Sequence, residues 1–257
     1  NLLSSFIFLL RFPRVIPSVW ILTTRTAIKR KYVTMAPRLP MVYIVRHGET
    51  EWSKSGQHTS RTDIPLTANG ERQAKNLSYY VFENPHQDFL EHARISRRMC
   101  SPLKRAQDTL NFLKFETSAG LPIEIEPDLT EWDYGKYEGI TTAKIQESVP
   151  GWNIFEAGCP SGETAADVGA RCDRVIAKIR EHHTQCAVDD NINADVLVVA
   201  HSHLLRVFIS KWLGQPAENG RYMVLDTASL SILGYEHDLT DPVIKALNVT
   251  SHLWFRG

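Results

Sequence analysis

The feature that most constrains the fold is a series of short apolar runs that alternate with amphipathic segments. The run VYIV at 42–45 leads into Arg46, and the run VLVVA at 196–200 leads into His201. Continuous apolar runs of this length, bounded by polar residues, are typical of strands buried on both faces of a parallel sheet. The segments between such runs carry apolar residues at helical spacing, as in the stretch SPLKRAQDTLNFL.

Alternating strands and helices predict a three-layer α/β/α fold with a mostly parallel central sheet and helices on both faces. Further strands are predicted at 94–100 and 123–127 and in SLSILGY and VIKALNV. Further helices are predicted after an N-cap at Thr67, from Gly162 to His183, and in LLRVFISKWLG, which ends at Gly214. With no internal repeat or flexible linker, we expect one domain over 35–257.

The first 34 residues differ from the rest of the chain, because they contain basic residues but no acidic residue. One interpretation is a mitochondrial targeting peptide. The other is translated upstream sequence, with the protein beginning at Met35. We favour the second and expect 1–34 to be an unpacked leader outside the fold. This predicts a cytoplasmic protein, or a mitochondrial one if the leader is genuine.

Composition narrows the classes of partner. The formal net charge is zero, which argues against a general nucleic-acid-binding protein. The apolar stretch LLSSFIFLL is interrupted by Arg11 and is too short to span a membrane. The four cysteines form no CxxC pair or zinc spacing, so we expect free thiols. A homo-oligomer is left open by the sequence.

The polar residues that follow the predicted strands indicate where the chemistry lies. Ligands of open α/β sheets bind at the carboxyl ends of the strands. Arg46, His47 and His201 follow two such strands, Arg105 lies near the start of the helix after the second, and Glu131 follows the third. We therefore expect these side chains to meet at one edge of the sheet.

This set of residue types suits phosphoryl transfer. Arginine pairs bidentately with phosphate oxygens, and a neutral imidazole can attack phosphorus and hold the phosphate covalently. A positioned carboxylic acid can protonate the leaving alkoxide. The reaction needs no metal or other cofactor, and we expect none. The pair His201-x-His203 lacks a carboxylate at ligand spacing, which argues against a metal site there.

The ordered motifs RHGE, SPLKRAQDT, EWDYG, SGET and VAHSH resemble those of the histidine phosphatase superfamily, in its phosphoglycerate mutase-like branch. The resemblance covers about 41–253. It implies a phosphoglycerate mutase-like fold with His47 as the nucleophile and Glu131 as proton donor and then base. Arg46, Arg105 and His201 would line the phosphate pocket.

Within that branch, WSKSGQHT, EWDYGKYEG and GWNIFEAGCPSGET look closest to the fungal sedoheptulose-1,7-bisphosphatases. Ser53 stands where phosphoglycerate mutases usually carry Asn. The segment from Gly139 to Gly162 is also shorter than the insertion that covers the active site in those mutases. A shorter cover admits water, which favours hydrolysis over return of the phosphoryl group. The resemblance implies these substrate-binding residues: Ser53, His58, Thr59, Trp132, Tyr134, Arg206 and His237.

Five positions depart from the usual pattern of the family, one of them Thr227, which stands where many relatives carry Asn. Ser60 and Ser202 replace glycines, and a Cβ at Ser60 could crowd backbone that approaches phosphate. Arg97 and Arg98 lie in a predicted central strand, where unpaired charges are unfavourable.

The sequence thus predicts a phosphatase acting on a phosphorylated sugar, with sedoheptulose-1,7-bisphosphate as the first candidate. The alternatives are a broad-specificity phosphomonoesterase, a phosphoglycerate mutase, or a non-catalytic module that binds phosphorylated ligands.

Overall fold

A computed structural model describes residues 38–80, 94–113, 120–189 and 193–253. The predicted leader, 1–34, lies outside these residues. A six-stranded sheet in the order β3-β2-β4-β1-β5-β6 forms the centre. Its strands are β1 (Val42–Arg46), β2 (Ile95–Cys100), β3 (Ile123–Ile125), β4 (Asp195–Ala200), β5 (Leu230–Tyr235) and β6 (Pro242–Val249).

The sheet is parallel across β3, β2, β4 and β1, and antiparallel across β1, β5 and β6. The predicted α/β class with a mostly parallel sheet is confirmed. The direction of β5 matters for the site. Val45 pairs with Leu230 and Val42 with Leu233, so β5 ends at the edge of the sheet where β1 begins.

Alternation along the strands builds two cores. Val42 and Ile44 face one core, whereas Tyr43 and Val45 face the other, because successive side chains of a strand point to opposite faces. All four are buried. Since both faces of the sheet are covered, the central strands lack the polar face that a half-exposed sheet would have.

The helices form the outer layers. They are α1 (Glu51–Ser55), α2 (Ala68–Ser78), α3 (Lys104–Phe112), α4 (Thr142–Ser148), α5 (Ile154–Ala157), α6 (Ala165–Val188) and α7 (Ser202–Trp212). Apolar residues of α2 and α3 belong to the core with Tyr43, and those of α6 and α7 belong to the core with Val42. Among the described helices, none is long and apolar enough to cross a membrane.

Local signals set the ends of the main helices. The Thr67 side chain accepts a hydrogen bond from the Gly70 N–H and caps α2, as the sequence predicts. A capping box between Thr164 and Asp167 begins α6. Gly214, with φ of 69°, follows the end of α7 in the left-handed region that glycine adopts readily.

Of the two arginines in strand β2, Arg97 has a local partner, whereas the buried Nε of Arg98 has none among the described residues. Arg97 forms a bidentate ion pair with Glu124 on the neighbouring edge strand, with nitrogen–oxygen distances of 2.7 and 2.9 Å. It also donates to the Lys178 carbonyl on α6. The Arg97 charge is therefore compensated by Glu124 of β3, and the side chain is partly exposed, although the strand pattern alone predicts an unfavourable burial.

Candidate active site

The ends of two adjacent parallel strands bring two histidines together. Arg46 pairs with Ala200 in the register of β1 and β4, so the next residues, His47 and His201, leave the sheet side by side. The His47 backbone N–H donates to the Ala200 carbonyl at 3.0 Å. The two imidazole centroids are 5.1 Å apart.

The His47 ring is held in one tautomer. Its Nδ1 lies 2.7 Å from the Gly48 carbonyl oxygen, which can only accept, so Nδ1 carries the proton. Burial, with the cations of Arg105 and Arg46, holds the pKa of His47 well below its usual range. The ring is therefore neutral at physiological pH, and its Nε2 lone pair is available for attack on an electrophile.

The His201 ring is held by a buried serine. The Ser101 Oγ lies 2.7 Å from His201 Nε2 and also accepts from the Leu103 backbone N–H. A buried hydroxyl requires an acceptor, and Nε2 is the acceptor that the described residues offer it. The His201 proton is then on Nδ1, which is buried and has no protein partner in the described part of the chain.

Two arginines lie at the same edge of the sheet. Arg46 donates to the Leu225 carbonyl at 2.6 Å. Arg105 is fully buried and donates to the carbonyls of Thr59 and Thr62 at 2.9 and 3.2 Å. Burial lowers the pKa of both guanidinium groups, and the nearby charge of Glu131 opposes that shift. Both retain a buried Nε with no partner among the described residues.

Glu131 lies in the turn that follows β3 and is held by the start of α7. Its Oε1 accepts from the backbone N–H groups of Trp132 and Leu204, each at 2.9 Å. Its Oε2 accepts from the His203 N–H at 3.2 Å. The free N–H groups of a helix start favour an acidic group there, and they fix the orientation of this carboxyl.

A pocket of about 200 Å³ opens at this edge, and Arg46, His47 and Glu131 line it. The predicted residues Ser53, His58, Thr59 and Tyr134 also line it. Arg105 and His201 do not belong to the lining; both are fully buried. Each has one buried nitrogen with no partner among the described residues, Nε of Arg105 and Nδ1 of His201.

Two of the predicted hydroxyl ligands already have protein partners. The Ser53 Oγ accepts from the Thr50 N–H and closes the capping box of α1, at 2.8 Å. The Thr59 Oγ1 donates to the Gln57 carbonyl at 3.1 Å. Each hydroxyl proton is donated to a backbone carbonyl, so toward a ligand either hydroxyl acts as an acceptor.

Arg206 lines a second pocket of about 180 Å³, which shares His58, Thr142 and His203 with the first. The Arg206 guanidinium lies 4.5 Å from the Phe155 ring centroid and donates to the carbonyls of Gly220 and Arg221. These contacts fix the position of the guanidinium, which is the one arginine or lysine group among the residues that line this pocket.

Two of the predicted substrate-binding residues, Trp132 and His237, do not line either pocket. Trp132 is fully buried, its indole N–H donates to the Glu163 carbonyl, and it lines neither pocket. It belongs to the core beneath the site. His237 lies beyond the end of β5, 80% exposed, and its nearest ionic partner is Asp241. Because β5 runs antiparallel to β1, His237 lies at the edge of the sheet opposite the pocket.

The sequence argument missed Ser101 and Glu138. The Glu138 carboxylate accepts from the backbone N–H groups of Ser60 and Thr62, each at 3.0 Å. This holds the loop whose carbonyls bind Arg105. The Ser60 side chain is accommodated, since its Oγ donates to the Glu131 carbonyl at 3.3 Å. Both missed residues lie in motifs that the sequence highlights, SPLKRA and KYEG.

Comparison with known families decides what this arrangement represents. A model of the histidine phosphatase superfamily (branch 1) matches residues 42–250. The chain belongs to the histidine phosphatase superfamily. The match spans every strand of the sheet and all the residues of the site, and the resemblance of the motifs is confirmed.

Individual relatives agree with that membership. The chain is 36% identical to an acid phosphatase of Mycobacterium tuberculosis, over 85% of this chain and 97% of the relative. It is 40% identical to a sedoheptulose 1,7-bisphosphatase of Saccharomyces cerevisiae, over 68% of each chain. A solved structure of a Mycobacterium tuberculosis open reading frame aligns with a TM-score of 0.69 and 35% identity, over 83% of this chain and 99% of that one. The superfamily and these phosphatase relatives identify the chain as a phosphoric monoester hydrolase.

Proposed function

We propose that this superfamily member hydrolyses a sugar bisphosphate through a phosphohistidine on His47, with sedoheptulose-1,7-bisphosphate as the first candidate. The observation that carries the proposal is the second pocket, where Arg206 faces the space next to the His47 pocket. A substrate with two phosphates needs one cationic site at the nucleophile and another beyond it.

In the first step, the neutral His47 Nε2 attacks phosphorus in line with the ester oxygen. The P–N bond forms as the P–O bond to the sugar breaks. Glu131 gives its proton to the departing alkoxide, which leaves as an alcohol. Arg46 and Arg105 stabilise the charge on the equatorial phosphoryl oxygens.

In the second step, water attacks the phosphohistidine. Glu131, now ionised, takes a proton from the water as the P–N bond breaks, and inorganic phosphate leaves. His47 returns to its neutral form with Nδ1–H still donated to Gly48. The shared use of one carboxyl group in both steps follows from its fixed position beside the pocket.

The unpaired buried donors support an anionic ligand. Arg46 Nε, Arg105 Nε and His201 Nδ1 are buried without protein partners in the described residues. Buried polar groups in native proteins are nearly always hydrogen-bonded, so three orphans around one nucleophile favour a missing acceptor. A phosphoryl group offers several acceptor oxygens and the complementary charge.

The Saccharomyces cerevisiae relative named as a sedoheptulose 1,7-bisphosphatase supports the choice of sugar. The Mycobacterium tuberculosis relative named as an acid phosphatase supports a second candidate, a broad-specificity phosphomonoesterase. The two candidate functions differ in whether Arg206 contributes to substrate selection.

The experiment compares kcat/KM for sedoheptulose-1,7-bisphosphate, fructose-1,6-bisphosphate, their monophosphates, 3-phosphoglycerate and phenyl phosphate. Arg206→Ala is expected to raise KM for the bisphosphates by about 10- to 100-fold, the loss of a charge-assisted hydrogen bond, and to affect phenyl phosphate much less. Arg174→Ala is the matched control, because the half-exposed Arg174 side chain pairs with Asp128 and lines neither pocket.

Equal kcat/KM across bisphosphates and simple esters, with Arg206→Ala affecting all of them alike, would instead establish the broad-specificity phosphatase. Transfer of phosphate between positions of phosphoglycerate, in place of release, would establish a mutase.

A further inference from the structure

His203 lies where the two pockets meet. It is two residues beyond His201, at the start of α7, and it lines both the His47 pocket and the Arg206 pocket. Its backbone N–H holds Glu131, but its side chain has no part in the phosphoryl chemistry set out above. The imidazole packs 5.6 Å from the Phe155 ring and 5.7 Å from the His58 ring.

Tyr134 sets the tautomer of His203. The Tyr134 hydroxyl lies 2.7 Å from His203 Nδ1. Tyr134 is buried, and Nδ1 is the acceptor that the described residues offer its hydroxyl proton. Since O–H donation requires a lone pair on Nδ1, the single proton of the neutral ring is on Nε2.

The charge state of both partners agrees with this assignment. Burial, reinforced by Arg206 and His58, holds the pKa of His203 well below its usual range. Burial and the charge of Glu131 raise the pKa of Tyr134, so its hydroxyl stays protonated. The Nε2–H is therefore a neutral donor, and it makes no hydrogen bond to any described residue of the chain.

We propose that His203 Nε2–H binds a hydroxyl or carbonyl oxygen of the substrate's carbon chain, between the phosphate at His47 and the group at Arg206. The inference rests on the proposed function for the identity of the substrate. A neutral donor matches an uncharged chain oxygen, whereas the phosphates are matched by the arginines. Tyr134 is the positioning residue that keeps the proton on Nε2.

Two variants of His203 distinguish the loss of the Nε2–H donor from the loss of the aromatic ring. His203→Phe keeps an aromatic ring beside Phe155 but removes the donor. His203→Gln returns a side-chain N–H near the Nε2 position. Tyr134→Phe keeps the ring of Tyr134 and releases the tautomer of His203. His237→Phe is the matched control, since His237 lies at the opposite edge of the sheet.

The readout is the ratio of kcat/KM for a sugar phosphate to that for phenyl phosphate, which has no chain oxygen. His203→Phe is expected to lower this ratio about tenfold, the usual worth of a hydrogen bond to a well-fitted ligand oxygen. The fall should be the same for sugar monophosphate and bisphosphate. We expect His203→Gln to recover part of it, Tyr134→Phe to give an intermediate loss, and His237→Phe to leave the ratio unchanged.

An unchanged ratio in His203→Phe, or an equal fall on phenyl phosphate, would overturn the inference. Failure of the proposed function looks different: the wild type would then show no preference for bisphosphate over monophosphate. In that case the kcat/KM ratio for the sugar monophosphate would still test the role of His203, because the sugar monophosphate has the same oxygens on its carbon chain.

Discussion

Ser101→Ala removes one hydroxyl that lies outside the pocket lining and is expected to slow catalysis. The Ser101 Oγ is 2.7 Å from His201 Nε2, and both residues are fully buried. Without the hydroxyl, Nε2 loses its donor, and the imidazole proton can occupy either nitrogen. The fraction of rings that present Nδ1–H to a phosphoryl oxygen then falls.

The structure sets the size of this effect. A buried group left without its partner costs about 1 to 3 kcal/mol. If that cost falls on the transition state, kcat/KM drops by about 5- to 150-fold. The loss should be common to all phosphate esters, because the proposed partner of His201 is the phosphoryl group and not the sugar.

The assay is kcat/KM for phenyl phosphate from pH 5 to pH 8, together with the inhibition constant for inorganic phosphate. Ser210→Ala is the matched control. Ser210 is also fully buried, and its hydroxyl donates to the Pro216 carbonyl, away from the site. Both variants should lose stability, but only Ser101→Ala should lose activity and affinity for phosphate.

A Ser101→Ala enzyme with kcat/KM and phosphate inhibition within twofold of wild type would refute the proposed role of the Ser101 hydroxyl in orienting His201.

Three further predictions concern the loop, the core and the far edge of the sheet. Glu138→Ala should lower kcat/KM about tenfold on every ester alike, because the loop that holds Arg105 loses its acceptor; a change in substrate ratio would contradict this. Burial lowers the pKa of His183 to about 3. Below about pH 6.5, His183 therefore takes up a proton in the unfolded chain but not in the folded one. The free energy of unfolding should then be constant above that pH, as far as His183 is concerned, and lower by about 2 kcal/mol at pH 5. Urea unfolding of His183→Gln should lack that loss, and an equal pH dependence in both proteins would refute it. Asp195→Ala should lower the melting temperature without changing KM, because its carboxylate binds two backbone N–H groups at the edge opposite the site; a raised KM would contradict this.

The pairing of His47 with His201 could be predicted from the sequence for a simple reason. Runs that are apolar throughout are typical of strands buried on both faces of a parallel sheet, and parallel strands end at the same edge. The residue after each run is therefore placed near the other, wherever the two runs lie in the chain. The same argument brought Arg46 to the pocket.

His237 was expected at the site from the family resemblance, but the structure places it at the opposite edge of the sheet. The residues of β5 are apolar like those of β1, but β5 runs in the opposite direction. Nothing in an apolar run encodes its direction within the sheet. Trp132 was also expected at the site from the resemblance, and the structure buries it in the core. An aromatic residue in a loop motif can be either buried or exposed, so the motif does not distinguish these two positions.

Ser101 and Glu138 were missed because their partners are remote in the chain. Ser101 meets His201, 100 residues away, and Glu138 meets Ser60, 78 residues away. Such contacts depend on how whole helices, strands and loops pack, and the pattern of residues near Ser101 or Glu138 in the sequence does not predict them. The sequence therefore points to the residues proposed to carry the chemistry more readily than to the residues that hold them in place.

The central claim is that phosphate passes through His47. Rapid quenching of the enzyme during turnover of a ³²P-labelled ester should trap acid-labile, base-stable phosphate on the peptide that contains His47. His47→Ala should lose both the label and hydrolysis, by at least about 10⁴-fold in rate. Label on a different residue, or hydrolysis that survives in His47→Ala, would contradict the account.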